Sequence, residues 1–303
     1  MRYAKPPLTL DQQAELLLSR GMVAERDSLK RRLAAVNYYR LSGYWFPFRN
    51  ADDSFRPGTT LDRIWERYVF DRHLRLLVMD ALGRIEIAVR TQLAYNHGHL
   101  HGPFGYATEV AALPKLDESK RADFLQRVRD EAERSKERFV EHFTTKYGDE
   151  HHDLPIWMAT EVMTFGSVLT LLRGSRHQVK KAVASYFEVS ATVFESWLVA
   201  LNSVRNICAH HGRLWNRELG TKPLIPRASE YPAWHHPVEI GNERVFAVLT
   251  ICKHCLDCLG LNNHWATRLR SLLGDFPGVP INQMGFPEGW QSSPIWRDGA
   301  DAA

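Results

Sequence analysis

The stretch from Thr60 to about Tyr95 constrains the fold most, because its apolar residues recur every three or four positions along its whole length. The recurring positions are Leu61, Ile64, Trp65, Tyr68, Leu74, Leu77, Val78, Ala81, Ile85, Ala88 and Val89. A period near 3.6 residues is typical of an α-helix that buries one face. The pattern therefore predicts one long helix here, or two in succession.

The rest of the chain also predicts helices, since strand-like alternation does not persist beyond a few residues anywhere. Helices are predicted over Thr9–Gly21, Glu25–Val36, Leu116–Tyr147 (one solvated helix or a pair), Leu154–Arg173, Gln178–Phe187, Thr192–Trp215, Asn242–Leu259 and Asn263–Leu273. We predict an all-α fold in three parts. They are a basic, aromatic-rich helical segment (1–58), a helical core (59–218), and a proline-rich connection followed by C-terminal helices (219–303).

Several classes of protein are disfavoured by what the sequence lacks. No apolar run approaches the roughly 20 residues that span a bilayer, and Met1–Pro7 lacks the apolar region of a signal peptide. We therefore expect a cytoplasmic protein with no membrane partner. The chain has no P-loop, dinucleotide fingerprint or nucleophile elbow. Kinases, dehydrogenases and hydrolases of those folds are disfavoured.

The positive charge of the chain is concentrated at its N-terminus. Residues 1–50 contain nine Lys and Arg against four Asp and Glu, whereas the whole chain has a net charge of only +4. Basic residues mixed with aromatic ones suit RNA, because they contact phosphates and stack on bases. Arg40, Tyr44, Trp45 and Arg49 are the candidates for that role. A solvated helix face is the alternative explanation.

Three clusters have a spacing that resembles a metal site: Cys252, Cys255 and Cys258; His97, His99 and His101; and His151, His152 and Asp153. The thiols would spread over one face of a helix and suit a buried helix contact. The first His cluster lies at a predicted helix end, where the helix dipole favours such residues. The second lies in a loop, because Pro155 follows it. We predict no metal and no other cofactor.

A polar stripe runs along the predicted helix that begins at Thr192. On a helical wheel Trp197, Leu201, Val204 and Cys208 form the apolar side. The residues that share the polar flank are Asn202, Arg205, Asn206, the small Ala209, His210 and, if the helix extends that far, Arg213. Such a stripe either contacts a ligand or forms a polar network between helices.

Within this stripe, Arg205 and His210 are suited to a phosphodiester. Their spacing alone is uninformative, because about four Arg-x4–6-His pairs are expected by chance. Their context differs, since Asn206 follows Arg205 directly and Arg213 and Arg217 lie downstream as further phosphate contacts. The wheel turns His211 toward the core, so we assign His211 a supporting role and His210 the chemistry.

Several blocks of the sequence resemble the Abi-like proteins of bacterial abortive-infection systems, the AbiD/AbiF group. The resembling blocks are Asn37–Arg49, Phe70–Arg75, Arg84–Thr91, Pro155–Trp157 with Glu161 and Phe165–Gly166, Ser196–Leu198, Arg205–His211 and Arg213–Arg217. That family is in turn similar to the HEPN superfamily of helical domains. The active members of this superfamily are metal-independent RNases with an Arg-x4–6-His motif. The resemblance implies a HEPN-like helical bundle with N- and C-terminal extensions.

By the same resemblance, Arg205, Asn206 and His210 are the catalytic residues. Glu86 and Arg90 match an acidic-x3-basic pattern that accompanies them, although such a pair also stabilises any helix surface. The implied function is a toxin-like endoribonuclease in phage defence, and its implied partner is RNA, including a small structured RNA. A non-catalytic RNA-binding module and a regulator that binds proteins are the alternatives.

The expected reaction is attack of the ribose 2′-OH on the adjacent phosphate. His210 would move protons, Arg205 would stabilise the charge of the transition state, and Asn206 would orient the histidine or the phosphate. One chain supplies one Arg and His pair, about 140° apart on an ideal helix. We therefore expect a homodimer with the motif helices at its interface.

Overall fold

The computed structural model describes Arg2 and residues 6–260 and 264–297. This part of the chain contains thirteen α-helices, five short 3-10 helices and no β-strand, so the predicted all-α fold is confirmed. The α-helices are α1 Leu10–Ser19, α2 Arg26–Val36, α3 Tyr38–Trp45, α4 Leu61–His101, α5 Gly105–Thr108, α6 Glu118–Arg134, α7 Arg138–Tyr147, α8 Ile156–Val162, α9 Phe165–Gly174, α10 His177–Tyr186, α11 Ala191–Ala209, α12 Val245–Cys258 and α13 Trp265–Asp275.

The long apolar-periodic stretch forms one helix, α4, of 41 residues. It begins after Thr60, whose side-chain oxygen accepts a hydrogen bond from the backbone N–H of Arg63 at 3.2 Å. It ends at Gly102, whose φ of 71° suits a residue without a Cβ. At 1.5 Å per residue, α4 is roughly 60 Å long. Eight other helices (α3, α5, α8, α9, α10, α11, α12 and α13) contact it among the described residues.

Buried apolar side chains from Ala14 in α1 to Trp296 near the C-terminus form one hydrophobic cluster. At its C-terminal end, Trp290 and Trp296 pack against Phe246 of α12. This contact holds the segment after α13 against the core. None of the described helices is both long and apolar enough to cross a membrane.

One predicted helix is divided in the structure. Leu154–Arg173 is divided into α8 and α9, because the side chain of Thr164 accepts a hydrogen bond from Ser167 N at 3.3 Å and begins a new helix. The charge-rich stretch 116–147 forms the pair α6 and α7, one of the two predicted forms. The last predicted helix corresponds to α13, and its first residue, Asn263, lies outside the described residues.

The motif helix α11 ends at Ala209, so the predicted continuation to Trp215 is wrong. The N–H of Gly212 donates to the carbonyl of Ile207 at 2.7 Å, and the N–H of His211 donates to that of Cys208 at 3.0 Å. This pair of hydrogen bonds terminates a helix, and it places His211 in the left-handed region with a φ of 56°. His211 is exposed and not directed to the core, and Arg213 lies outside the helical stripe.

We expect His211→Gly to raise the free energy of unfolding by up to about 1 kcal/mol. A residue with a Cβ in the left-handed backbone conformation costs about 1–2 kcal/mol, and glycine removes this cost. The greater conformational entropy of glycine in the unfolded chain cancels part of that gain. His211→Val should lower it by about 1 kcal/mol or more, because a β-branched residue fits this region poorly. Denaturant unfolding measures both variants. His210→Val, at a φ of −88°, is the control, and an equal loss in both valine variants would contradict the turn geometry.

Candidate active site

The three predicted catalytic residues lie together at the C-terminal end of α11. Arg205 Nη1 donates to the side-chain oxygen of Asn206 at 3.4 Å. The backbone N–H of His210 donates to the carbonyl of Asn206 at 3.0 Å. Asn206 and His210 are exposed and Arg205 is half-buried. Arg205 and Asn206 therefore share a side-chain contact, while the bond to His210 is a backbone bond of the helix end, and solvent reaches all three residues.

A cavity of about 620 Å³ opens where α2, α3 and α4 meet the end of α11. We call it the motif cavity. Its basic lining residues are Arg40, Arg72, Arg75 and His211, and its other lining residues are Ala35, Val36, Tyr68, Leu76, Met79, Cys208 and Ala209. Guanidinium groups beside an apolar wall suit a ligand with both a phosphate and a flat ring. His211 lines this cavity, whereas the predicted catalytic histidine, His210, is not part of its lining.

The thiol in this cavity does not supply a nucleophile. Burial raises the pKa of Cys208 to about 12, so the side chain is a neutral thiol near neutral pH. The chemistry available at this end of α11 is therefore that of imidazole, guanidinium and amide groups.

A buried carboxylate, Asp71 of α4, holds the walls of the cavity together. Its Oδ1 accepts the backbone N–H groups of Leu214 at 3.0 Å and Trp215 at 2.5 Å. Its Oδ2 accepts the hydroxyl of Tyr44 at 2.6 Å and the guanidinium of Arg75. Burial raises the pKa of Asp71, while Arg75 acts in the opposite direction. All four neighbours donate, so the ionised carboxylate is the form that they fit.

Further contacts fix the segment that follows the motif. Arg40 Nη1 donates to the carbonyl of His211 at 2.5 Å, which joins α3 to the turn. The guanidinium of Arg67 lies between two rings, 4.1 Å from the centroid of Phe48 and 4.8 Å from that of Trp215. Such cation–π contacts stabilise a buried guanidinium. The turn after α11 is therefore held by α3 and α4 together.

The structure contradicts part of the predicted RNA-binding set. Tyr44 and Trp45 are buried, since Tyr44 donates to Asp71 and Trp45 packs edge-on against Tyr38 and Phe55. Neither ring can stack on a base. They form the apolar face of α3, a face that the spacing of Leu41, Tyr44 and Trp45 already indicates.

The exposed aromatic residues of this segment are two others, Tyr39 at 85% and Phe46 at 70% exposure. Sequence reasoning missed them because it treated the segment as having no period. They lie beside the helix face that the core uses, where a ring remains free to stack.

The other predicted phosphate contacts have partners within the chain, as Arg40 has in the carbonyl of His211. Arg49 pairs with Asp53, Arg213 Nη1 donates to the carbonyl of Trp215 at 3.3 Å, and Arg217 Nε donates to that of Arg213 at 2.7 Å. Arg40 alone among the six predicted residues lines the motif cavity. Arg72 and Arg75 line it too, and only the folded structure identifies them.

Glu86 and Arg90 form the predicted ion pair on α4. Arg90 also donates to the carbonyl of Thr160, which joins α4 to α8. Neither residue belongs to the lining of the motif cavity. In this chain their contacts stabilise the packing of two helices.

The clusters with metal-like spacing have other partners. Cys252 and Cys255 are fully buried in α12. Burial lowers the pKa of His97 to about 4, and His151 stacks on Phe104 with ring centroids 4.4 Å apart. Within the described ranges, no group of three His, Cys, Asp or Glu residues could hold a metal ion.

One protein-family model, that of the Abi-like proteins, matches residues 31–216. The match begins inside α2 and ends one residue after Trp215, so it includes α3, α4, α11 and the lining of the motif cavity. No curated protein and no solved structure matches the chain.

We expect Asp71→Ala to lower the free energy of unfolding by about 3–5 kcal/mol, because it leaves the buried Arg75 without its counter-charge and two backbone N–H groups without an acceptor. Asp80→Ala, on the same helix, is the matched control. Asp80 pairs with Arg268 at 2.8 Å, and both are well exposed, so its loss should be about 1 kcal/mol or less. Denaturant unfolding compares the two, and equal losses would contradict the role of Asp71.

Proposed function

Since the chain belongs to the Abi-like protein family, which supports a role in abortive infection, we propose that it acts as a metal-independent endoribonuclease. The observation that carries this proposal is the cluster of Arg205, Asn206 and His210 on an accessible surface. The motif cavity with its guanidinium groups lies at the same end of α11. A phosphodiester bound there would meet both positive charge and an imidazole.

The proposed reaction uses the substrate's own 2′-OH as the nucleophile. An imidazole removes its proton, the 2′-oxygen bonds to the adjacent phosphorus, and the bond from phosphorus to the 5′-oxygen breaks. A protonated group gives a proton to that leaving oxygen. The products are a 2′,3′-cyclic phosphate and a 5′-OH. Arg205 stabilises the charge on the phosphorane, His210 transfers protons, and Asn206 holds Arg205 in place.

The motif cavity would bind the nucleotide beside the cleaved bond. Arg72 is exposed and can turn to a phosphate, and Tyr68 and Met79 supply a surface for a base. Because His211 also faces this cavity, its imidazole is a second candidate for proton transfer. Comparing variants at the two histidines separates these roles.

We further propose that two copies of the chain assemble through α4. Leu76 and Ile87 are each 65% exposed and Tyr95 is 60% exposed, with Gly83 exposed between them. On an ideal helix Leu76, Gly83 and Ile87 lie within about 40° of one another, and Tyr95 lies about 80° to one side of Ile87; we call this set the α4 stripe. Leu76 also lines the motif cavity, so the stripe continues into the site. Large exposed apolar patches of this kind mark interfaces, and a second copy would supply a second Arg and His pair.

RNA cleavage by the purified protein in EDTA tests the nuclease. We expect single-stranded RNA to be cut to products with cyclic phosphate ends. Arg205→Ala and His210→Ala should each reduce the rate by about 100-fold or more, because they remove charge stabilisation and proton transfer. His211→Gly shows whether the second imidazole contributes.

His152→Ala, which removes an exposed histidine elsewhere, is the control and should leave the rate unchanged. Cleavage that EDTA abolishes, or that survives both Arg205→Ala and His210→Ala, would contradict the proposal. Binding of RNA without any cleavage would favour the non-catalytic RNA-binding module.

Ile87→Lys tests the assembly, because a buried charge at the stripe should prevent the contact between copies. We expect a dimer in sedimentation experiments on the unaltered protein and a monomer in the variant, with loss of RNA cleavage. Val110→Lys changes an equally exposed apolar residue outside the stripe and should remain dimeric. A monomeric unaltered protein with full activity would refute this assembly.

A further inference from the structure

A second basic depression lies at the other end of the polar stripe on α11. It is a groove of about 530 Å³, lined by Lys115, Lys120, Arg173, Lys180, Glu195 and Asn202 among others. We call it the basic groove. Asn202 lies one turn of α11 before Arg205 and Asn206. The polar stripe of α11 therefore joins the basic groove at Asn202 to the motif cavity at Ala209.

The basic groove keeps a positive charge after its internal ion pairs are counted. Arg173 Nε and Lys180 Nζ share one carboxylate, that of Glu195, at 3.0 Å each. Lys115 is exposed and has no ion pair among the described residues. Lys120 pairs with Asp117 at 2.5 Å, but both side chains are more than half exposed, so the pair is weak. An anion entering the groove would meet more positive than negative charge.

Helix α9 and the loop of Lys115 form one wall of the groove. Gly166 lines the groove and is exposed in the first turn of α9. The N-terminus of α9 is already capped, because Thr164 Oγ1 accepts the N–H of Ser167 and the carboxylate of Glu131 accepts the hydroxyls of Thr164 and Ser167. The N–H of Lys115 donates to the carbonyl of Gly174 at 3.2 Å. This hydrogen bond fixes the position of Lys115 relative to α9.

We infer that the basic groove binds the sugar–phosphate backbone of a single-stranded RNA whose neighbouring phosphate lies at the motif. This inference rests on the proposed endoribonuclease function and names its substrate class. Asn202 and Ala209 are seven residues apart, which is roughly 10 Å along α11. A strand that occupies the groove and the motif cavity must therefore extend beyond a single nucleotide. It crosses Arg205 and Asn206 on the way.

The groove would contact RNA without reading its sequence. Its described lining contains no aromatic side chain on which a base could stack. Lys and Arg contacts to phosphate carry no sequence information themselves. The motif cavity, with Tyr68, is the place where a base would be recognised.

The double variant Lys115→Gln with Lys120→Gln tests the groove without touching the motif. The probe is a single-stranded 2′-O-methyl RNA of about 12 nucleotides, which binds but has no 2′-OH to attack. We expect weaker binding than in the unaltered protein. The slope of log Kd against log salt should decrease by about 0.7 for each phosphate that the variant no longer neutralises.

Cleavage of unmodified RNA gives a second measurement. The same double variant should raise KM for the long RNA and leave kcat unchanged, because the groove binds substrate outside the reacting bond. It should leave the cleavage of a dinucleoside monophosphate unchanged, since the single phosphate of this substrate is the one that reacts and none remains for the groove. Lys136→Gln with Lys146→Gln removes the same charge at exposed positions outside the groove. This control should retain the unaltered KM.

The outcomes separate the groove from the nuclease. Unchanged binding and KM in the groove variant, with cleavage intact, would overturn the groove and leave the nuclease standing. Binding that depends on Lys115 and Lys120 without any cleavage would support the groove and refute the nuclease. If the control variant bound the probe as weakly as the groove variant, the loss of binding would be due to overall charge alone, and the inference would be overturned. Failure of the unaltered protein to bind the probe would also overturn it.

Discussion

The buried carboxylate of Asp71 is the interaction on which the rest of this site depends. It lies inside α4 with no exposure to solvent, and its four donors come from α3, from α4 itself and from the segment after α11. A buried charge is tolerated only when donors surround it, so the three segments cannot separate without leaving that charge unpaired. Asp71, which is distant in sequence from the polar stripe, thereby determines where the turn after α11 lies.

These hydrogen bonds to Asp71 explain why α11 ends at Ala209. Leu214 and Trp215 donate to Asp71 through their backbone N–H groups, which a continuing helix would have used internally. The chain turns instead at His211, in a left-handed conformation. Arg205 contacts Asn206 through its side chain and His210 caps the helix, while His211 lines the motif cavity. A helical wheel assigns the two histidines differently because it assumes that the helix continues.

Much of the helical framework follows from local pattern. The period of Thr60–Tyr95 predicts α4, and Gly102 ends it. The boundaries that failed were set by hydrogen bonds that a period does not reveal, as at Thr164, where a side chain begins a new helix. Tyr44 and Trp45 are not placed as the stacking prediction requires, for a related reason. Tyr44 and Trp45 share a helix face with Leu41, and that face is buried against the core.

By itself the sequence determined the all-α class and the helical stretch that forms α4, which it left open as one helix or two, because a period depends on residues close together in the chain. The nearness of Arg205, Asn206 and His210 in the chain is likewise a property of the sequence. Only the tertiary structure decided which cations surround the motif. Arg40, Arg72 and Arg75 meet His211 from helices distant in sequence, and Lys115, Arg173 and Lys180 meet Asn202 in the same way. These contacts between residues distant in sequence result from helix packing. Helix packing depends on how the apolar faces of all the helices are buried against one another.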